Sequence, residues 1–368
     1  MNVKLTSFFV LLAGLACSSI AATIQTVDNV KQHEVVTASW LKQIPDTAPI
    51  KNVILMIGDG MSSEHVWAAW ICNGGKLNVE TLPYTGFSRT YSANKLVTDS
   101  AAGGTALACG EKTNNGMLGQ TPQGEHLQSL AAAMMAEPYG KKAGLVVTKA
   151  ITDATPAAFY AHTSSRQNTR KIAAQLCQAG LQVVVGGGAD HFTAEQVAAL
   201  EAVSGAHVLL AAPEHCPYAA ERGNMLPEQT RKALRLLEQS PNGFFLMIEG
   251  SEIDTASHAK ELRRAVEETL DFDSALGEVL AWMKGRTDTL LVVTADHQTG
   301  GLVIHDGNVK AGQVKGSYAT DAHTGIAVPI YAAGPGASRF TGVMENTEIP
   351  RIILQLLSQQ GADAELNL

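Results

Sequence analysis

Six short, unbroken apolar runs constrain the fold of this chain more than any other feature of its sequence. The runs are Val53–Ile57, Gly144–Val147, Val183–Val185, Phe244–Ile248, Leu290–Val293 and Val328–Ala332. Runs of this kind are typical of strands that are buried on both faces of a mainly parallel sheet. The sequence therefore predicts such a sheet at the centre of the molecule.

Helical stretches are expected between these runs. They are Ser62–Cys72, Ser100–Cys109, Gln167–Gln178, Leu226–Gln239 and Lys260–Met283. Alternating strands and helices predict a layered α/β fold. Thr193–Asn224 and His305–Asp321 are the least regular segments, and Thr23–Pro49 is expected to be a partly helical surface segment. No linker interrupts the pattern, so residues 23–368 are expected to form a single domain.

The first 22 residues have the features of a secretory signal peptide. A lysine near the start precedes the apolar run Phe8–Ala16, and small residues end the segment at Ala21 and Ala22. The expected location is therefore periplasmic or secreted. Lipid attachment at Cys17 is the alternative, although Gly14 stands where a lipoprotein box usually has Leu. No later stretch has the roughly 20 apolar residues of a membrane-spanning helix.

Charge and cysteine content narrow the choice of partners. The net charge is -8 and no basic block exceeds two residues, so a nucleic-acid partner is not expected.

Beyond Cys17 the cysteines are Cys72, Cys109, Cys177 and Cys216. Four cysteines in an exported protein permit two disulfides in three connectivities, of which a Cys177–Cys216 pair is favoured. Buried free thiols are the alternative.

Polar clusters follow the predicted strands, at the edge where open α/β sheets bind ligands. Asp59 follows the first run between two glycines, and Asp99 and Ser100 begin an Ala-rich helix. The positive end of that helix would stabilise an alkoxide or a bound anion at Ser100. For each of these residues a helix cap is the alternative explanation.

A third cluster contains Asp153, Thr155 and, a little later, Arg166. The carboxylate and the hydroxyl are oxygen ligands that suit Mg²⁺. The planar guanidinium of Arg166 can bind two phosphate oxygens at once. A helix start before Pro156 and a solvated surface arginine are the alternatives.

Three later motifs add carboxylates and imidazoles. They supply Glu249, Asp254 and His258 after the fourth run, Asp296 and His297 after the fifth, and His323 before the last. Asp254 and His258 are four residues apart and would share one helix face, as Zn²⁺ ligands can. All the motifs together supply enough ligands for two Zn²⁺ sites and one Mg²⁺ site. Six unrelated caps after six strands would be a poor joint explanation.

These motifs resemble, in order, the signatures of the alkaline phosphatases, a family of metal-dependent phosphomonoesterases. They read IGDGM, TDSAAGGTA, DATPAA with a later TSSR, EGSEID with His258, TADHQTGG and HTG, and they extend from Asn52 to Gly325. The resemblance implies a three-layer α/β/α fold with a central, mostly parallel sheet. It also implies hydrolysis of small-molecule phosphate monoesters at alkaline pH, with release of inorganic phosphate.

The resemblance further implies a role for each site residue. Ser100 would be the nucleophile that becomes phosphoserine, and Arg166, positioned by Asp99, would bind the phosphoryl oxygens. One Zn²⁺ would be held by Asp254, His258 and His323, a second Zn²⁺ by Asp59, Asp296 and His297, and one Mg²⁺ by Asp59, Thr155 and Glu249, with Asp153 acting through water.

Two departures from the family pattern leave questions open. Thr255 follows Asp254, whereas some bacterial relatives have Lys there and animal relatives have His, so the charge near the Mg²⁺ site is open. Only a short segment separates His297 from His323, so an insertion that often forms part of the family's dimer interface is nearly absent. A homodimer is therefore possible but not implied.

Two other functions remain as alternatives. A secreted phosphodiesterase would share the metal centre, although Arg166 favours monoesters because it can bind two non-bridging oxygens of a dianion. A non-catalytic exported protein that binds zinc or phosphate would keep the ligands without needing Ser100. A sulfatase is excluded because Ser100 lacks the C/S-x-P-x-R frame.

Overall fold

A computed structural model describes residues 22–366, with side chains described up to residue 359. The predicted signal peptide therefore lies outside the described residues, except for Ala22. The strands are β1 Gln25–Val27, β2 Asn52–Gly58, β3 Tyr84–Arg89, β4 Lys142–Ala150, β5 Val183–Gly187, β6 His207–Leu210, β7 Phe244–Gly250, β8 Thr289–Thr294, β9 Gln298–Thr299, β10 Leu302–Asn308, β11 Gln313–Tyr318, β12 His323–Thr324, β13 Val328–Ala333 and β14 Gly342–Glu345. All six predicted strands are present, and each observed strand end lies within three residues of its predicted end.

Helices alternate with these strands. They are α1 Ser63–Cys72, α2 Ser100–Cys109, α3 Leu130–Met135, α4 Ala154–Ala157, α5 Thr169–Leu176, α6 Ala194–Glu201, α7 Ala219–Arg222, α8 Met225–Leu237, α9 Glu252–His258, α10 Leu262–Met283 and α11 Glu348–Leu366. Short 3₁₀ turns occur at Ser39–Gln43, Val79–Thr81, Ala189–His191 and Ala337–Phe340. Among the described residues, no helix is long and apolar enough to cross a membrane.

A nine-stranded sheet forms the centre of the described chain, in the order β14-β3-β13-β8-β2-β7-β4-β5-β6. The six strands from β8 to β6 in this order pair in parallel, whereas β13 pairs antiparallel with both β3 and β8. Every residue of β2, β7 and β8 is buried. This burial explains why their sequences are apolar without alternation.

Helices cover both faces of the sheet, as a three-layer α/β/α fold requires. Ile54 and Met56 of β2 pack in one apolar cluster with α1, α8 and α10. Their neighbours Val53 and Leu55 pack in a second cluster with α2, α3, α5 and α11. Because successive side chains of a strand point to opposite faces, these two clusters lie on opposite sides of the sheet. The predicted fold class is confirmed.

The segments predicted to be irregular contain more structure than expected. Within His305–Asp321, β10 and β11 form an antiparallel pair that β1 extends to three strands. Within Thr193–Asn224 lie α6, β6 and α7. Strand β6 has only four residues and, among the described strands, pairs only with β5, and β11 pairs with the neighbouring β10 and with the distant β1. Very short strands carry little periodic signal of their own.

The expected Cys177–Cys216 disulfide is wrong, because all four described cysteines are free. The Cys177 sulfur lies 3.3 Å from the carbonyl oxygen of Ala173, at the contact between α5 and α6. Cys216 lies elsewhere, where its backbone N–H donates to the carbonyl of Thr148 near the end of β4. Burial raises the pKa of the Cys72 and Cys216 thiols to about 11. The alternative of partly or fully buried free thiols is confirmed.

Candidate active site

The carboxyl ends of four neighbouring parallel strands place the predicted site residues at one edge of the sheet. Asp59 follows β2, Glu249 lies near the end of β7, and Asp153 comes shortly after β4. Asp296 and His297 follow β8. Because parallel strands end at the same edge, side chains far apart in sequence meet there.

The first group of converging side chains contains Asp254, His258 and His323. Helix α9 places Asp254 one turn before His258, and β12 brings in His323. The Nε2 atoms of the two imidazoles lie 3.2 Å and 3.4 Å from the same oxygen, Asp254 Oδ1. These two nitrogens are 3.0 Å apart.

Each imidazole of this group is oriented through its other ring nitrogen. His258 Nδ1 lies 2.6 Å from the carbonyl oxygen of Asp321, and His323 Nδ1 lies 2.9 Å from that of Thr98. A proton on Nδ1 would donate to each carbonyl and leave the Nε2 lone pair facing Asp254. Outer partners of this kind commonly orient metal-ligating histidines.

The second group surrounds His297. Its Nε2 atom lies 3.2 Å from Asp296 Oδ2 and 3.4 Å from Asp59 Oδ1. All three side chains are fully buried. Burial opposes a charged imidazole, but Asp296 and Asp59 raise the pKa of His297 to about 9. A cation is therefore favoured at this point, either a proton on the ring or a metal ion in its place.

The structure brings the two groups together through Asp254. Donor atoms of Asp59, Asp254 and His297 lie within 4.8 Å of one another, as do those of Asp254, His258 and His323. Asp254 therefore faces both groups, and the predicted division of the ligands between two Zn²⁺ ions stays a prediction. Asp153 and Glu249 belong to neither of these tight groups.

The remaining predicted Mg²⁺ ligands are buried oxygens without partners. Both carboxylate oxygens of Glu249, Oγ1 of Thr155 and Oδ2 of Asp153 have no hydrogen-bond partner among the described residues. Burial, with Asp59 and Asp153 nearby, holds the pKa of Glu249 well above its usual range. Buried polar atoms are almost always paired, so these oxygens indicate a missing cation. The donor set, all oxygen, suits Mg²⁺.

Ser100 lies at the first position of α2, beside the His297 group. Its Oγ is 3.2 Å from His297 Nε2, and the residue is only 2% exposed. Asp99 caps the helix by accepting from the backbone N–H of Ala102. The structure confirms the cap at Asp99, and the role of the adjacent Ser100 as nucleophile stays a prediction.

Two glycines allow α2 to approach the site loops closely. A Cβ on Gly103 would lie 2.9 Å from the carbonyl oxygen of Asp296, and one on Gly104 would lie 3.2 Å from the Cα of Thr155. A larger residue at either position would push the helix away. The absence of side chains at these two positions thus allows α2 to place Ser100 close to the strand ends.

Arg166 is held by carboxylates at both of its terminal nitrogens. Nη1 lies 3.6 Å from Asp99 Oδ2, and Nη2 lies 3.3 Å from Asp153 Oδ1. Burial disfavours the charge, but Asp153 and Asp99 more than compensate and raise the pKa of the guanidinium. Arg166 is therefore a fixed cation and not a solvated surface arginine.

Lys149 is a site residue that the sequence analysis missed. It lies in β4, and its Nζ is 3.0 Å from Asp254 Oδ2 and 3.3 Å from Asp59 Oδ2. Burial alone would lower the pKa of this ammonium, but Asp59 and Asp254 hold it well above its usual range. The available signal was a lysine just after the apolar run Gly144–Val147, where the strand is expected to be buried, because a buried charge needs a partner.

Comparisons with known proteins place this chain among the alkaline phosphatases. The family model described as "Alkaline phosphatase" matches residues 50–208 and 201–318. The chain is 30% identical to Alkaline phosphatase 4 of Bacillus subtilis, over 93% of this chain and 95% of that protein. It is 31% identical to the streptomycin-6-phosphate phosphatase of Streptomyces griseus, over 85% of this chain and 91% of that protein. The structure of an alkaline phosphatase from the Antarctic bacterium TAB5 is similar, with a TM-score of 0.78, 31% identity, and coverage of 84% of this chain and 99% of that one.

Proposed function

Because the chain belongs to the alkaline phosphatase family, we propose that it hydrolyses phosphate monoesters through a covalent phosphoserine on Ser100. Membership of the family makes it a phosphoester hydrolase, and the proposal adds the substrate class and the mechanism. One observation carries it: the buried Ser100 hydroxyl lies 3.2 Å from His297 Nε2, beside two converging sets of carboxylates and imidazoles.

The side chains of the site fit a set of bound metal ions, since several of their buried oxygens have no partner. The proposed ligands are Asp254, His258 and His323 for one Zn²⁺, Asp59, Asp296 and His297 for a second Zn²⁺, and Asp59, Thr155 and Glu249 for one Mg²⁺, with Asp153 acting through water. Bound there, divalent ions would neutralise charge on the attacking and leaving oxygens of an in-line displacement.

Ser100 is the group that reacts. In the first displacement its Oγ loses its proton and forms a bond to phosphorus while the ester P–O bond breaks, and the leaving oxygen takes up a proton from solvent to depart as the alcohol. In the second, a water molecule loses a proton as its oxygen bonds to the same phosphorus, the Ser100 Oγ–P bond breaks, Oγ regains a proton, and inorganic phosphate departs. The amino end of α2, where Ser100 lies, favours negative charge at this oxygen.

Arg166 binds the phosphoryl group. Its planar fork can donate two N–H groups to two non-bridging oxygens. Asp99 and Asp153 each contact one of its terminal nitrogens and so limit rotation of the guanidinium. A monoester dianion gains more from this fixed cation than a diester monoanion, which supports the monoesterase over the phosphodiesterase alternative.

The proposal extends to the rest of the chain. Residues 1–22 would be removed as a signal peptide on export, and residues 23–368 would form one catalytic domain. Amino-terminal sequencing of the protein recovered from the periplasm or medium tests this directly. The possible homodimer stays a prediction, which the molar mass in solution would decide.

The activity is tested with p-nitrophenyl phosphate and bis-p-nitrophenyl phosphate at alkaline pH. We expect turnover to favour the monoester, to disappear after treatment with EDTA, and to return with Zn²⁺ and Mg²⁺. Ser100→Ala should abolish turnover without changing the melting temperature. The matched control is Ser240→Ala, which removes a buried hydroxyl at the opposite, amino edge of the sheet and should leave turnover unchanged.

Two results would contradict the proposal. Preference for the bis-ester would favour the phosphodiesterase, because Arg166 would then give no advantage to a dianion. Metal binding without turnover of either ester would favour a non-catalytic binding protein.

A further inference from the structure

Lys149 occupies an unusual position in the candidate active site. Its ammonium group lies between two buried carboxylates, 3.0 Å from Asp254 and 3.3 Å from Asp59. The side chain is only 9% exposed. It reaches this point from strand β4, whereas the two aspartates follow β2 and β7.

Each aspartate divides its two oxygens between the lysine and the histidines. In Asp254, Oδ1 faces His258 and His323 while Oδ2 contacts Lys149. In Asp59, Oδ1 faces His297 while Oδ2 contacts Lys149. The ammonium therefore contacts neither of the oxygens that face the imidazoles, although Thr299 Oγ1 also donates to Asp254 Oδ1 at 2.6 Å.

Lys149 favours the two carboxylates in the metal-free protein but opposes the binding of a metal ion to them. Without any cation, the buried carboxylates of Asp59 and Asp254 would repel each other in a medium of low dielectric constant. Lys149 removes this repulsion in metal-free protein. Once divalent cations bind the same two carboxylates, the ammonium is a like charge a few ångströms away and opposes their binding.

We propose that Lys149 is a built-in counter-ion for Asp59 and Asp254, which stabilises the metal-free site and weakens the binding of metal ions to it. This inference rests on the proposed function only in that metal ions bind these two aspartates. It makes Lys149 a positioning residue, since it acts through the aspartates.

The test compares Lys149→Met with a matched control, Lys141→Met. Lys141 is also buried, but its ammonium donates to the carbonyl oxygens of Lys51 and Asn242 at the other edge of the sheet. Each variant is measured in EDTA for its melting temperature and by competition with a chromophoric chelator for its Zn²⁺ affinity. Neither readout depends on catalysis.

We expect Lys149→Met to melt roughly 5 °C or more below the wild type in EDTA, because it removes the ammonium that contacts both buried carboxylates and leaves them only the histidines as cationic neighbours. We expect the same variant to bind Zn²⁺ at least about tenfold more tightly, because the like charge is gone. Lys149→Arg keeps the charge and should resemble the wild type. Lys141→Met should leave Zn²⁺ affinity unchanged.

Several outcomes would overturn the inference. These are weaker Zn²⁺ binding by Lys149→Met, an unchanged melting temperature in EDTA, or failure to fold even when Zn²⁺ is present during refolding. Folding only with Zn²⁺ would support it. If the wild type binds Zn²⁺ but does not hydrolyse the monoester, the proposed function fails while the inference stands; if the wild type is active but Lys149→Met behaves like Lys141→Met, only the inference fails.

Discussion

Glu249→Gln should have opposite effects on the stability of the metal-free and the Mg²⁺-loaded protein. Glu249 is fully buried and neither of its carboxylate oxygens has a partner. Burial and the nearby Asp59 and Asp153 raise its pKa. The folded carboxyl group therefore binds a proton more tightly than the unfolded one does, so the stability that this proton contributes is lost as the pH rises from the unfolded pKa towards the folded pKa.

The size of the effect follows from this linkage. Metal-free wild type should lose up to about 1.4 kcal/mol of unfolding free energy per pH unit above the unfolded pKa of about 4.3, until the folded pKa is reached. Glutamine does not titrate, so the variant avoids this loss. In EDTA, Glu249→Gln should gain on the wild type between pH 5 and pH 7 by up to about 1.4 kcal/mol per pH unit, or roughly 2 °C in melting temperature per pH unit for a chain of this length.

Mg²⁺ should reverse the order of stability, so that the wild type is more stable than Glu249→Gln. The wild type gains a bound ion at its unpartnered carboxylate, whereas the amide is a weaker ligand for a hard cation. Thermal melts in EDTA and in Mg²⁺ at both pH values would measure these effects. The matched control is Glu252→Gln, a buried glutamate that is already paired with Arg264 at 2.8 Å and should lose stability with or without Mg²⁺.

The result that would refute this reasoning is specific. If Glu249→Gln were less stable than the wild type in EDTA at pH 7, the carboxylate would have a partner other than a metal ion. If the variant gained as much from Mg²⁺ as the wild type does, Glu249 would not be a ligand.

Two further predictions concern Arg166 and His65. Arg166→Lys keeps the charge but loses one of two charge-assisted hydrogen bonds to the phosphoryl group, so kcat/KM for p-nitrophenyl phosphate should fall about 10- to 150-fold; a change under threefold would show that the two N–H groups do not act together. Burial lowers the pKa of His65 to about 4, so the stability that depends on a neutral ring is complete above the unfolded pKa of about 6.5 and lost as the pH falls towards 4. Urea unfolding of the metal-free protein should show that His65 accounts for about 3 kcal/mol of the unfolding free energy that is lost as the pH falls, and His65→Gln should not show this contribution. An equal loss of unfolding free energy in the variant would mean that other groups cause it.

Local sequence patterns predicted most of the central sheet. Val53–Ile57 and Leu290–Val293 are strands because an unbroken apolar run is stable only where both faces are covered. The same reasoning placed Asp59 and Asp296 at one edge, since parallel strands end together. The order of the motifs along the chain then indicated the family, and the resemblance to that family implied the metal ligands.

The hairpin of β10 and β11 was missed because it depends on pairing that the sequence does not display. Five of the seven residues of β10 are exposed, and Val303 is 45% exposed. Strand β1, which completes the small sheet, has only three residues and begins almost 300 residues before β11, at Gln25. The expected Cys177–Cys216 disulfide was wrong for a related reason, because closeness in sequence does not place two sulfur atoms within bonding distance.

The sequence by itself determined the fold class, the edge of the sheet where the chemistry lies, and the residue types that converge there. These follow from periodicity and strand direction, which are local properties. Only the tertiary structure revealed that Asp254 faces both groups of ligands, that Glu249 has no partner, and that Lys149 lies between Asp59 and Asp254. Lys149 contacts aspartates that are 90 and 105 residues away along the chain. Electrostatic energy depends on distances of a few ångströms, and those distances are decided by how the strands and helices pack.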